Sequence, residues 1–168
     1  AFQRRFTTGT ILDSDEPPSV SVADIEFVEG DLGTVDAVFT FVLSEPSGQT
    51  VEVQYATADG TATGTVDESG DYVTASGTVT FAAGQTQQTV TITAPSDFAD
   101  EPDETFFLNL TNPVNVTLAT TQVQATIRDD DPLLTVNSTA DLPDLNPGNG
   151  VVDTGTPGVI TLRAAVME

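Results

Sequence analysis

Acidic side chains occur in short runs along this chain, and these runs are the residues best suited to carry chemistry. The runs lie at 13–16, 29–31, 97–104 and 129–131. The chain has 168 residues, with 26 Asp and Glu against four basic residues, and it contains no Cys and no His. Zinc ligation by Cys or His, disulfides and Ser–His–Asp or Cys–His nucleophiles are therefore excluded. Two kinds of carboxylate chemistry remain, namely general acid–base catalysis and the binding of hard cations through oxygen.

The formal net charge of −22 at pH 7 excludes two classes of partner. A chain this anionic lacks the basic surface that binds nucleic acid or an anionic membrane. The sequence also shows no secretory signal, no apolar stretch long enough to span a membrane and no lipidation motif. We therefore expect no nucleic-acid partner and no direct insertion into a membrane.

High net charge is compatible with disorder, with a solvated acidic surface, or with a cation site. The 38% content of hydrophobic residues and the regular strand patterns indicate a folded chain. Clustering of the carboxylates at the ends of apolar stretches favours a site, because carboxylates that strand ends bring together repel one another unless cations bind. The fold decides between the last two interpretations.

Apolar and polar residues alternate with a period of two, which predicts β-strands. The opposite face of these strands is mostly Thr and Gln, as suits a solvated face. Turn residues separate the strands, for example at Thr111-Asn112-Pro113. About seven strands at this spacing predict an all-β, antiparallel sandwich whose loops gather at two poles. The predicted strands lie at 20–28, 37–43, 51–57, 79–81, 90–94, 106–110 and 123–127.

A partial internal repeat divides the chain. Residues 9–15 are similar to residues 125–131, and Asp13 and Asp129 are 116 positions apart, close to the length of one sandwich domain. We predict that 17–131 is a complete module and that 1–16 is an extra N-terminal strand with its linker, either the last strand of a preceding module or a donor strand. A strand without its own sheet leaves backbone donors and acceptors unpaired. The segment is therefore disordered, belongs with upstream sequence, or joins another subunit by β-strand addition through residues 5–12.

Six motifs in the predicted module occur in a specific order and spacing. They are Val28-Glu29-Gly30, the run 55–62, Gly70-Asp71-Tyr72, the run 77–86, the run 97–106 and the terminal run 127–131. Each motif is weak alone, but together they resemble a Calx-beta domain, the calcium-binding sandwich of sodium–calcium exchangers and many large bacterial surface proteins. The resemblance covers residues 17–131 and implies an immunoglobulin-like sandwich.

The resemblance also implies a set of metal ligands, because the matching positions of calcium-binding family members converge at one pole. Ser96 departs from the family pattern, since the calcium sensors have an Asp there, and two alternatives follow: either Asp100 compensates as a ligand or one ion is missing. With six to eight oxygens for each ion and shared carboxylates, the set implies about two to four Ca²⁺. The implied ligands are Glu29, Asp71, Asp97, Glu101, Glu104, Asp129, Asp130 and Asp131.

Purely structural roles remain open for the same residues. Asp71-Tyr72 and Asp59-Gly60 are compatible with simple turns. Glu101 and Glu104 are compatible with a loop or a strand end, and 129–131 with a solvated linker.

A different pattern follows the predicted module. The runs 134–141, 146–155 and 160–168 resemble the start of a CSLREA-type segment of bacterial surface proteins. Members of that family have cysteines where this chain has Val152 and Ile160. From the resemblance to the start of such a segment, we predict that 132–168 is a small irregular C-terminal segment and that the chain is a piece of a longer polypeptide.

These features predict a non-enzymatic, calcium-binding structural module of a secreted or cell-surface protein, bacterial or archaeal. In this hypothesis Ca²⁺ stiffens strand-end loops and linkers, and the partners are neighbouring modules or subunits of the same protein in a filament or lattice. Two alternatives stay open, a carbohydrate- or protein-binding adhesin module and an accessory domain of a larger secreted enzyme. Catalysis by this segment is disfavoured, because no nucleophile–base pair is visible and the chain has no Trp and only two Tyr for sugar stacking.

Overall fold

The computed structural model describes residues 16–67, 69–131, 143 and 145. In this part of the chain every regular element is a β-strand, and no helix capable of crossing a membrane occurs. The predictions for the N-terminal strand and the CSLREA-like segment fall almost entirely outside the described residues. The strands are β1 Ser19–Val22, β2 Ile25–Val28, β3 Gly33–Leu43, β4 Val51–Asp59, β5 Gly64–Thr65, β6 Tyr72–Val73, β7 Ser76–Phe81, β8 Gln87–Ser96, β9 Glu104–Val114, β10 Thr117–Leu118 and β11 Gln122–Arg128.

Two sheets form the sandwich, which confirms the predicted fold class. The four-stranded sheet has the order β10-β1-β3-β8, and the five-stranded sheet has the order β2-β11-β9-β4-β7. The long strands pair antiparallel, whereas β1–β10, β2–β11 and the separate pair β5–β6 are parallel. Each parallel pair includes a short strand of two to four residues: β10 and β2 at sheet edges, and β5 and β6 in a loop.

Six of the seven predicted strands lie inside observed strands, but the first, 20–28, is two strands in different sheets. Val22 and Ile25 are three positions apart, and this spacing breaks the period of two that a single strand requires. The chain passes from one sheet to the other at Ala23-Asp24. A carboxylate oxygen of Asp24 accepts a hydrogen bond from the backbone N–H of Gln124 at 2.8 Å, which holds the crossing against β11.

The core lies between the sheets and consists of the apolar side chains of alternate strand positions. The rings of Phe39 in β3 and Phe106 in β9 meet edge to face with centroids 6.1 Å apart, so the two sheets are in direct aromatic contact. Tyr72, from the short β6, adds a fully buried ring to this core. Within the described residues, 16–97 and 102–129 form one compact unit, while 98–101 and 130–131 belong to a second.

Candidate metal centre

Strand register brings several acidic strand ends to the same end of the sandwich. The strands β2, β4, β8 and β11 end there, and β3 and β9 begin there. We name this end, with Glu29, Asp71, Asp97, Glu104 and Asp129, the acidic pole. The pairs that set the register are Glu104 with Ile127, Val28 with Arg128, Gly33 with Ser96, and Asp59 with Phe106.

Two of the predicted ligands lie close together at the acidic pole. One carboxylate oxygen of Asp71 and one of Glu104 are within 4.8 Å of each other, and both residues are half-buried. Calcium binds oxygen at 2.3–2.6 Å, so one ion can contact two oxygens that are up to about 5 Å apart. The separation and the oxygen-only donor set therefore fit a hard cation such as Ca²⁺.

The carboxylate of Asp71 is also fixed by the backbone around it. Its Oδ2 accepts a hydrogen bond from the backbone N–H of Thr63 at 2.6 Å, and its own N–H donates to the carbonyl of Thr63 at 3.0 Å. This reciprocal pair is the turn role that the sequence left open for Asp71. Because the second carboxylate oxygen is not used in either bond, the turn role and a ligand role are compatible.

Asp59, at the end of β4, is a third carboxylate near this pair, and sequence reasoning treated it only as a turn residue. Its Oδ1 accepts hydrogen bonds from the hydroxyl of Tyr72 at 2.6 Å and from the N–H of Gly64 at 2.9 Å. These two bonds, the Tyr72 bond foremost, hold the pKa of Asp59 below its ordinary value. Burial, followed by the bond to Asp59, raises the pKa of Tyr72, so its hydroxyl stays protonated and donates.

Tyr72 connects the acidic pole to the core. Its ring stacks on Phe106 with centroids 4.3 Å apart and planes inclined by 14°, and it follows Asp71 directly in the chain. Phe106 lies two residues after Glu104 in β9. The two close carboxylates are therefore attached to a pair of stacked, buried rings, which limits how far they can move apart.

Ser96, which stands where the family pattern has Asp, joins the two sheets at the acidic pole. Its hydroxyl donates a hydrogen bond to the carbonyl of Glu29 at 2.6 Å, and the N–H of Glu29 donates to the carbonyl of Arg128 at 2.9 Å. Gly30 follows with φ = 80°, a left-handed conformation that glycine adopts without strain. The backbone at Glu29 is thus held by both β8 and β11.

The other predicted ligands have different degrees of exposure. Asp97 is exposed directly after β8, and Asp129 is half-buried directly after β11. In the second unit, Glu101 and Asp130 are exposed, whereas Asp131 retains only 8% of its accessible surface. Glu101 lies in the connection from β8 to β9, three residues before Glu104, which begins β9.

Arg128 is the one basic residue among those described, and it lies at the end of β11. It pairs with Glu26 at 2.9 Å and with Asp103 at 2.6 Å, and these bonds raise its pKa. Neither partner is a predicted ligand. Both pairs are exposed, so each contributes little to stability.

Comparison with known proteins connects this geometry to a family. The Calx-beta domain model matches residues 13–131, which starts four residues before the boundary we predicted. No curated protein matches the sequence. Among solved structures, the apo-form Calx CBD1 domain is 26% identical with a TM-score of 0.59, and the match covers 69% of this chain and 100% of that domain.

Two longer solved structures match over about half of their own length. CBD12 from CALX1.2 is 26% identical with a TM-score of 0.58, and the match covers 67% of this chain and 44% of that one. The calcium binding domain CBD12 of CALX1.1 is 25% identical with a TM-score of 0.59, with coverage of 73% and 50%. The chain therefore spans about half of the length of these two relatives.

Proposed function

The chain belongs to the Calx-beta domain family, and we propose that it is a calcium-binding structural module without catalytic activity. The observation that carries the proposal is the pair of carboxylates of Asp71 and Glu104, which lie within 4.8 Å of each other at the acidic pole. A solved relative at 25% identity is described as a calcium binding domain, which supports the same function here.

In this proposal Asp71 and Glu104 hold a first ion, and Glu29, Asp97 and Asp129 at the acidic pole supply further ligands. The bound ion supplies positive charge that offsets the repulsion among these carboxylates. Thr63 orients Asp71, and the pairing of Glu104 with Ile127 fixes the start of β9. Because these ligands come from different strands and loops, occupancy of the site restrains those loops relative to one another.

We further propose that the module belongs to a secreted or cell-surface protein, bacterial or archaeal, whose neighbouring modules or subunits are its partners. Extracellular calcium at millimolar concentration suits a module with a net charge of −22. A filament or lattice built through residues 5–12 is part of the same proposal.

A calcium titration of the full chain tests the central claim. Binding to the folded state alone adds about 2.7 kcal/mol to the free energy of unfolding at an ion concentration 100 times the dissociation constant. We expect CaCl₂ to raise the melting temperature above its value in EDTA, and Asp71→Asn and Glu104→Gln to reduce that rise.

Glu52→Gln is the matched control. It also replaces one carboxylate by an amide, but Glu52 is exposed in the second position of β4, at the opposite end of that strand from the acidic pole. Its calcium response should equal that of the unchanged chain. An unchanged melting curve across the titration, or an equal loss of response in all three variants, would contradict the calcium site.

A further inference from the structure

The four-stranded sheet ends in a long open edge formed by β8. Among the described strands β8 pairs only with β3, so one side of its backbone has no strand partner. The strand contains no charged residue, and its solvent face presents Gln87, Thr89 and Thr91. Soluble proteins usually protect such edges with charges, bulges or short strands, because the unpaired N–H and C=O groups accept another strand. Pro95, near the end of β8, is the only residue of that strand that lacks an N–H donor.

The other open edges in the described part of the chain are shorter or protected. β10 has two residues, and β2 has four and carries Glu26, which is paired with Arg128. β7 has six residues, and Gly77 weakens it as a strand. The two-residue β6 lies near β8, but it spans only about 7 Å against about 33 Å for β8. β8 is therefore the one edge here that can accept a strand of eight residues along its length.

We infer that β8 accepts residues 5–12 of a second copy of this chain as an added strand. This inference rests on the proposed role as a subunit of a filament or lattice, and it identifies the surface through which the subunits join. The donor segment has eight residues, which fits the ten of β8 and exceeds the six of β7. The Calx-beta match begins at residue 13, so the donor lies outside the family domain.

Charge favours the same pairing. Residues 1–12 contain Arg4 and Arg5 and no acidic residue, so their formal charge is +2. The rest of the chain has two arginines against 26 acidic residues, a formal charge of −24. The positive charge of residues 1–12 in one copy and the negative charge of the rest of another copy accelerate association. Contact between two copies without this segment is disfavoured, because the rest of each copy is negatively charged. The uncharged β8 then offers backbone hydrogen bonds without burying a carboxylate.

Disulfide trapping tests this pairing, because the natural chain has no Cys. Thr7, Thr8 or Thr10 is replaced by Cys in a tagged full chain, and Thr89, Thr91 or Thr93 is replaced by Cys in an untagged one. The two proteins are mixed and oxidised. We expect disulfide-linked heterodimers for at least one combination, and the best combination reports the register.

Thr80→Cys is the control acceptor, since Thr80 is an exposed threonine on the open edge of β7. Its yield of heterodimer should be several-fold lower. The pairing with β8 is overturned if no β8 position crosslinks, or if Thr80 crosslinks equally well. A double variant, Thr8→Cys with Thr91→Cys, is also oxidised at low protein concentration, where we expect no disulfide within a single copy. A disulfide within one copy would overturn the role of a second copy.

The same experiment separates this inference from the calcium site. Neither residues 5–12 nor β8 contains a predicted ligand, so the crosslink is expected both in EDTA and in CaCl₂. Arg4→Gln with Arg5→Gln should lower the yield of heterodimer, and 1 M NaCl, where the Debye length is about 3 Å, should do the same. An unchanged yield under both conditions would overturn the electrostatic part of the argument.

Discussion

Asp59 and Asp71 are neighbouring carboxylates with different roles. Both Asp59 bonds use the same oxygen, and they hold Tyr72 and the segment at Gly64 in place. Asp71 also accepts a backbone hydrogen bond, but it places an oxygen within 4.8 Å of Glu104. The distinction lies in the partners of each oxygen, so composition and spacing alone do not reveal it.

Tyr72→Phe tests the structural role of Asp59 through pH. The folded-state pKa of Asp59 is depressed, so its bonds stabilise the fold above the unfolded pKa of about 3.9, and this stability is lost as pH falls through the folded value. Removal of the Tyr72 hydroxyl should therefore lower the free energy of unfolding at pH 7. The difference from the unchanged chain should shrink as the pH falls below about 4. Urea unfolding at a series of pH values measures this difference.

Tyr55→Phe supplies the control for this change. It removes the same hydroxyl from a half-buried tyrosine that makes no hydrogen bond to a carboxylate in the described structure. Its effect on stability should not vary with pH between 7 and 3. A constant difference between Tyr72→Phe and the unchanged chain over that range would show that Asp59 is not involved.

The sequence predicted the acidic pole better than it predicted the contacts within it. Glu29, Asp97, Glu104 and Asp129 each follow or begin an apolar strand, and the resemblance to the Calx-beta domain implied that these positions converge at one pole. The closeness of Asp71 to Glu104 depends on the conformation of the loop from β4 to β7, which has no periodicity. The hydrogen bond from Ser96 to Glu29 was likewise unpredictable, because it joins the end of β8 to a residue 67 positions away that follows β2 of the other sheet.

At the scale of elements, strand existence was predictable and pairing was not. Long strands such as β3 and β9 have enough alternation to identify them, whereas β5, β6 and β10 have two residues each and show no period. The parallel pairing of β2 with β11 depends on the crossing at Ala23-Asp24, which brings a strand near the start of the module beside the last one. The change of phase between Val22 and Ile25 was the available signal for that crossing.

Gly64→Ala tests how tightly β5 packs against Tyr72. A Cβ at Gly64 would collide with the Tyr72 ring at Cζ and lie 2.6 Å from Cγ2 of Thr74. The ring cannot move aside easily, because it is buried and stacked on Phe106. We expect a loss of about 1–3 kcal/mol in the free energy of unfolding, the usual range for overpacking.

Gly48→Ala provides the matched comparison. A Cβ at Gly48 would meet no atom within 4 Å, so the change in stability should stay within about 0.5 kcal/mol. Thermal or urea unfolding of both variants gives the comparison. Equal stability of the two variants would mean that the β5–β6 loop does not pack rigidly on the core.

At the scale of the whole molecule, the net charge of −22 acts in two ways that salt can separate. Diffuse repulsion among surface carboxylates falls with ionic strength, since the Debye length shortens from about 30 Å at 0.01 M to about 3 Å at 1 M. Local repulsion within the acidic pole, where Asp71 and Glu104 lie within 4.8 Å, is shorter in range and is screened less.

We therefore expect NaCl in the presence of EDTA to raise the melting temperature gradually, without saturation at low concentration. CaCl₂ at matched ionic strength should raise the melting temperature further and should saturate, because ligand binding adds a stabilisation that depends on the ion concentration relative to its dissociation constant. Asp71→Asn should reduce the calcium increment and leave the NaCl response nearly unchanged, since it removes one charge of 26 acidic groups. Coincident NaCl and CaCl₂ curves at equal ionic strength would mean that the acidity acts only as diffuse surface charge, and the acidic pole would then not be a calcium site.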